Sequence, residues 1–192
     1  MFNYIPSGGP GSTGLCAAVE NTDETSFKRR EIMQEIKTVI TPIDFSDNAK
    51  MIAESAAYVA GKFGADLHLV FVVQNFEDYS GFFVPPVGLP SLEEEILQSA
   101  QQRMEDFVSG FRETAAAAGV AALHSKVLTG DVSEEILNYV NESGCNLIVM
   151  GTHGYKGLER IMFGSIADKV VKGACCPVLT INPYRQECGK AA

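Results

Sequence analysis

No stretch of this sequence approaches the roughly 20 consecutive apolar residues that cross a bilayer. Its N-terminus lacks the basic start and apolar core of a secretory leader, so the expected location is cytoplasmic, with no membrane partner. Basic side chains are in short supply: 15 Lys and Arg stand against 24 Asp and Glu, for a formal net charge of −9. That balance argues against nucleic acid or an acidic membrane surface as a nonspecific partner. Five cysteines, Cys16, Cys145, Cys175, Cys176 and Cys188, show no CxxC spacing, and the odd count suggests neither a disulfide framework nor a zinc site. Cys145 and the Cys175–Cys176 pair adjoin expected strands, where free cysteine behaves as a small hydrophobe; oxidation sensing is the alternative. One familiar phosphate-binding pattern is missing as well: no Gly-Lys-Ser/Thr tripeptide of a Walker A loop occurs, and the glycines that follow Met150 are not spaced as GxGxxG.

What is present is enough for a core. Hydrophobic residues make up 46% of 192 positions, which suits one domain of about 150 residues plus an appendage. Residues 1–34 hold a Gly/Ser/Pro run from Ser7 to Gly14, then a polar stretch and the basic Lys28, Arg29 and Arg30, with no sustained period. They read as a flexible extension, residues 35–183 as the domain, and 184–192 as a polar tail.

From Thr38 onward, apolar runs alternate with helical periods. Thr38–Pro42 reads as a first strand, and its closing proline suits a strand end because it cannot donate to a ladder. Ser46 is the expected cap of the next helix, with Asp47 in its first turn; Ile52, Ala56, Val59, Ala60 and Phe63 form the apolar face, and Gly64 is the stop. Leu67–Val73 is a second strand, interrupted by His68, which reads as a core or edge histidine. Residues 74–90 are rich in aromatics and prolines, and a lid or contact surface and a plain connection are equally good readings. Ser91 to Glu94 has the form of a capping box opening a long helix, whose stripe runs Ile96, Leu97, Ala100, Met104, Phe107, Val108, Phe111, Ala115 to a stop at Gly119. A weaker third strand, Val120–Thr129, belongs at an edge. A helix capped by Asp131 follows, with Val132, Ile136 and Val140 inward and Gly144 as its stop, then a buried strand, Leu147–Met150, and a last strand, Pro177–Ile181. This βαβαβαβαβ order predicts a doubly wound, Rossmann-like α/β fold: an open five-stranded parallel sheet with helices on both faces. Ligands in such sheets sit beyond the strand C-termini where strand order reverses, so Asp44 and Gly151 would flank one crevice if the first and fourth strands are neighbours.

The fourth strand leads into a glycine-punctuated loop, Gly151, Gly154, Gly157 and Gly164, then Ser165, where helical spacing resumes at Ile166, Ala167, Val170, Val171 and Ala174. Unpaired N–H groups and the dipole of a helix N-terminus attract anions, so the loop reads as a phosphate holder. His153, Lys156 and Arg160 add charge there, most simply as solvated side chains. The pattern Gly151-x2-Gly154-x9-Gly164-Ser165, set between a buried strand and a helix leading to Cys-Pro-Val, together with Pro42-Ile-Asp44-Phe-Ser46, resembles the universal stress protein family over residues 36–182. The resemblance is to the ATP-binding branch. It implies ribose contacts at Asp44 and Gly151, phosphate contacts at Gly154, Gly164 and Ser165, and an adenine contact at Val72, beside Val73, with Pro42 and Met150 completing the site. It also implies ATP or another adenine nucleotide as ligand, with Mg2+ or Mn2+, and a homodimer through Val178–Ile181.

Hydrolysis needs a water-orienting base and metal-held phosphates, and no such constellation stands out; His153 and Asp44 come nearest. The leading expectation is therefore a stress-response regulator that binds ATP without turning it over. A slow ATPase or adenylyl transferase, and a nucleotide-free interaction module using residues 74–90, are the alternatives.

Overall fold

The structure, a computed structural model, describes residues 35–74, 90–152 and 164–184. The expectations for the N-terminal extension, for residues 75–89, for Gly154 and its loop, and for residues 185–192 fall outside that set. Among the described residues, nine elements follow in strict alternation: β1 (Thr38–Pro42), α1 (Ala49–Phe63), β2 (Asp66–Val73), α2 (Pro90–Ala118), β3 (Leu123–Thr129), α3 (Val132–Ser143), β4 (Leu147–Gly151), α4 (Ser165–Gly173) and β5 (Val178–Ile181). The strands form one five-stranded sheet in the order β3-β2-β1-β4-β5, parallel throughout. The chain steps outward from β1 to β3, crosses back to β4 and steps out the other way. Right-handed crossovers therefore place α1 and α2 on one face and α3 and α4 on the other.

The period-two alternation of the strands divides the core accordingly. Val39, Leu67, Leu69, Leu147 and Val149 meet the alanine-rich face of α1 (Ala49, Ala53, Ala56, Ala57, Ala60) and Met104, Val108, Phe111 and Ala115 of α2. Ile40, Val70, Val72, Ile148 and Met150 meet Ile136 and Val140 of α3 and Ala167 and Val170 of α4. Small side chains on α1 let helices approach closely: a Cβ on Gly61 would lie 1.8 Å from the Ala118 carbonyl oxygen at the end of α2. Asn146 ties the sheet at its other end, its Oδ1 accepting from the Lys37 and Thr38 N–H groups at 2.9 and 3.2 Å.

Several local expectations are corrected. Asn48, not Ser46, occupies the cap of α1 and makes no side-chain capping bond, because the chain takes an extra turn in which the Ala49 N–H donates to the Ser46 carbonyl at 2.9 Å. Phe63 is 55% exposed rather than inward. Pro90 starts α2, so Ser91 lies inside the first turn and cannot be its cap; proline is well suited to that position because the first N–H of a helix has no partner. β3 begins at Leu123, three positions late, and lies at an edge as expected. The Asp131 cap holds, its Oδ1 accepting from the Ser133 and Glu134 N–H groups at 3.0 Å each. On α4, Gly164 is the cap and Ser165 the first helical residue, while Ile166 and Val171 point outward.

Candidate functional site

The crevice comes from a change of partners along β1. In a parallel ladder, alternate residues bond to alternate neighbours. The Lys37 carbonyl accepts from Asp66, the Thr38 carbonyl from Asn146, and the Ile43 N–H donates to Val70 at 2.9 Å. Odd positions thus face β2 and even positions face β4, so the nitrogen of Pro42 faces β4 with no proton to give. Accordingly β1 stays paired with β2 as far as Pro42↔Val70, and β4 with β5 as far as Gly151↔Ile181, whereas β1–β4 pairing runs only over Val39↔Leu147 and Ile40↔Ile148. The two central strands part at their carboxyl ends, at the point where strand order reverses.

Asp44 follows at one lip. Its Oδ1 accepts from the Ser46 N–H at 3.0 Å, a local turn that fixes the carboxylate and leaves it half-buried. Phe45 between them has φ of +54°, an uncommon conformation for a bulky residue, costing about 1–2 kcal/mol. Its ring offsets this by packing on Phe71 at 4.6 Å and Phe107 at 6.0 Å, with the Arg103 guanidinium 4.9 Å above it. The left-handed turn therefore anchors the lip through the core beneath α2.

Met150 and Gly151 form the opposite lip, Met150 buried and Gly151 half-buried. Beyond them the Thr152 N–H donates to Ile181 at 2.8 Å, and the Thr152 carbonyl accepts from Gly164 at 2.7 Å. That second bond brings the N-terminus of α4 back onto the end of β4. Gly164 has ordinary extended φ and ψ of −67° and 152°, so conformational freedom does not explain it. Space does: a Cβ there would lie 3.1 Å from the Thr152 oxygen. Gly164 makes no side-chain cap, and the Asp168 N–H is the first to find a helical acceptor, the Gly164 carbonyl, at 3.0 Å. The N–H groups of the preceding residues lie at the positive end of the helix dipole, with the exposed Ser165 hydroxyl beside them.

Val72, next to last in β2, lies on the α3/α4 face of the sheet, only 8% exposed. A cavity of about 480 Å³ adjoins it, lined among others by Phe71, Val73, Gln74, Arg103 and Val132. The cavity takes in Val72 but none of Asp44, Gly151 and Gly164, so it lies beside the end of β2, against α2, and not between β1 and β4. Of the positions expected from sequence, Pro42, Asp44, Val72, Met150, Gly151, Gly164 and Ser165 gather at the carboxyl end of three adjacent strands and one helix N-terminus; Gly154 lies outside the described residues. Sequence reading missed Thr152, whose signal is only that it follows Gly151. It also missed the Asn48 amide, which donates to the Tyr184 hydroxyl at 3.1 Å and so ties the segment after β5 to the start of α1. Among the described residues, no group of three or more His, Cys, Asp and Glu is placed to hold a metal ion.

The fold is shared. The model of the universal stress protein family matches residues 35–182. A universal stress protein from Methanocaldococcus jannaschii is 34% identical over 153 residues, covering 79% of this chain and 85% of that protein. The solved structure of universal stress protein UspA from Lactobacillus plantarum superposes with a TM-score of 0.67 at 24% identity, covering 78% of this chain and 99% of that one. The universal stress protein from Archaeoglobus fulgidus in complex with dAMP gives a TM-score of 0.53 at 22% identity, covering 78% and 100%. With its parallel sheet, its order of elements and a family match spanning the whole domain, the chain belongs to the universal stress protein family.

Proposed function

We propose that this protein binds ATP, or another adenine nucleotide, in the crevice between β1 and β4 and acts in the stress response by binding it rather than turning it over. The observation that carries this reading is the parting of β1 from β4 after Ile40 and Ile148, with the N-terminus of α4 drawn onto the same end of the sheet. The Asp44 carboxylate accepts from the ribose hydroxyls, and Gly151 opposite lets the sugar lie against backbone. The open backbone N–H groups at the start of α4, the Ser165 hydroxyl, and Gly154 hold the phosphates, and Gly164, whose own N–H is bonded to Thr152, lets them come close to the backbone. Val72 gives the adenine an apolar contact, and Pro42 and Met150 shape the two lips. A relative with dAMP bound supports adenine as the base.

A divalent Mg2+ or Mn2+ would arrive on the phosphates, since the described residues offer no protein cage for it. β5 is an edge strand whose Leu179 is 42% exposed, which supports Val178–Ile181 as the seam of a homodimer. Mass spectrometry of nucleotide released by denaturing gently purified protein tests the reading. An adenine nucleotide in stoichiometric amount is expected. Protein that carries none and shows no thermal shift with ATP points instead to a nucleotide-free interaction module.

A further inference from the structure

Two thiols that nucleotide binding leaves unused meet at the amino end of β4 and β5, away from the crevice. Cys145 precedes β4 and Cys176 precedes β5; the ladder between these strands runs back through Ile148↔Val178, where the Ile148 N–H donates to the Pro177 carbonyl at 3.0 Å. Both side chains pack in the apolar cluster under α3 and α4, close enough for each thiol to perturb the other. Cys145 is 7% exposed and lies 3.0 Å from the Leu147 carbonyl and 3.6 Å from that of Thr38. Cys176 is half-buried, within reach of a small solute. Cys175 beside it is exposed and turns its thiol to the Asn141 Oδ1 at 3.1 Å.

We propose that Cys145 and Cys176 form a redox-modification site that closes to a disulfide when a peroxide reaches it. Cys176 is the attacking sulfur because it is the half-buried thiol of the two and so open to a peroxide; the neighbouring Cys145 draws its thiol below the usual range, against the opposing effect of burial. Cys145, only 7% exposed, with its thiol held above the usual range by Cys176 and then by burial, takes the second, resolving role. The Cys176 thiolate attacks one peroxide oxygen, the O–O bond breaks, and the departing hydroxide leaves as water after taking a proton. The Cys145 sulfur then attacks the sulfenic acid, the S–O bond breaks, and that hydroxide takes the Cys145 proton. Two thiols are oxidised by two electrons, one peroxide is reduced, and two waters leave.

The new bond closes a covalent ring over residues 145–176, which contains β4, Gly151, Gly164, Ser165 and the whole of α4. Oxidation would thus fasten β5 to β4 and restrain the segment that carries half of the crevice, without touching the crevice itself.

The test treats reduced full-length protein with hydrogen peroxide, alkylates the remaining thiols and maps the linked peptides by mass spectrometry. A Cys145–Cys176 link is expected, with a higher melting temperature that dithiothreitol reverses. The link and the shift should persist in C175A and vanish in C176A; because C176A alters a half-buried position, it tests the claim even if C145A does not fold. A link between Cys175 and Cys176, cross-links through Cys16 or Cys188, or all five thiols alkylated with no linked pair would each overturn the proposal.

Discussion

At the scale of single residues, one substitution can separate the turn that Asp44 closes from the ribose contact proposed for it. Its Oδ1 closes a turn with the Ser46 N–H at 3.0 Å, and an amide oxygen can do the same, whereas a charged acceptor for ribose hydroxyls requires the carboxylate. D44N is therefore expected to keep wild-type stability and to bind ATP about tenfold more weakly or worse, a loss of about 1.4 kcal/mol measured by calorimetry. Thr41 offers the opposite case. It is fully buried, and its Oγ1 finds no hydrogen-bond partner among the described residues. An unsatisfied hydroxyl costs about 1–3 kcal/mol, so T41V should be neutral or stabilising by about 1 kcal/mol in urea denaturation. A clear loss of stability in T41V would mean that the hydroxyl has a partner after all.

At the scale of elements, the close approach of α1 and α2 is the sharpest packing constraint. Because a Cβ on Gly61 would meet the Ala118 carbonyl oxygen at 1.8 Å, G61A must push the helices apart. A cost of about 2–3 kcal/mol is expected, read from the denaturation midpoint. The β2–β3 edge carries a pH dependence. His68 and His124 are register partners with ring centroids 4.6 Å apart, and His68 Nδ1 lies 3.0 Å from the Tyr139 hydroxyl. Burial, and then His124, hold the His68 imidazole below its ordinary value of 6.5, outweighing the pull of Asp66. The unfolded chain therefore takes up the proton first as pH falls. Stability contributed by neutral His68 is present above about pH 6.5 and is lost as pH drops through the lower folded value. Denaturation midpoints should fall on acidifying from about pH 7 to about pH 5, and H68Q should flatten that slope.

Elements were easier to read from sequence than their ends. Burial on both faces made Leu147–Met150 unmistakable as a central strand, and Gly64 and Gly144 marked helix stops that the structure places in left-handed conformations, with φ of 60° and 63°. The starts misled because several residues near each one can cap. Ser46 looked like the cap of α1, but the left-handed Phe45 and the Asp44 turn delay the helix to Ala49. Nothing in the local pattern signals a positive φ at a phenylalanine, since the contacts that sustain it come from Phe71 and Phe107, distant in sequence.

At the scale of the whole molecule, the alternation of strands and helices predicts the doubly wound sheet, and β1 and β4 are indeed neighbours at its centre. Pro42 was legible as a strand end, but its bearing on the crevice needed the ladder: only the alternation of bonds shows that its missing N–H faces β4 and not β2. Gly164 was legible as part of a phosphate-loop pattern, yet its reason is the Thr152 carbonyl, which the pattern does not contain. We propose that these parts form one crevice, opened by Pro42 and faced by Asp44 and the α4 N-terminus, that holds an adenine nucleotide. Titration calorimetry of ATP into the full-length protein tests it most directly. Saturable binding of one nucleotide per chain, weakened about tenfold or more in both D44N and S165A, is the predicted result. Wild-type affinity in both variants, or no binding heat at all in the wild-type protein, would contradict the account.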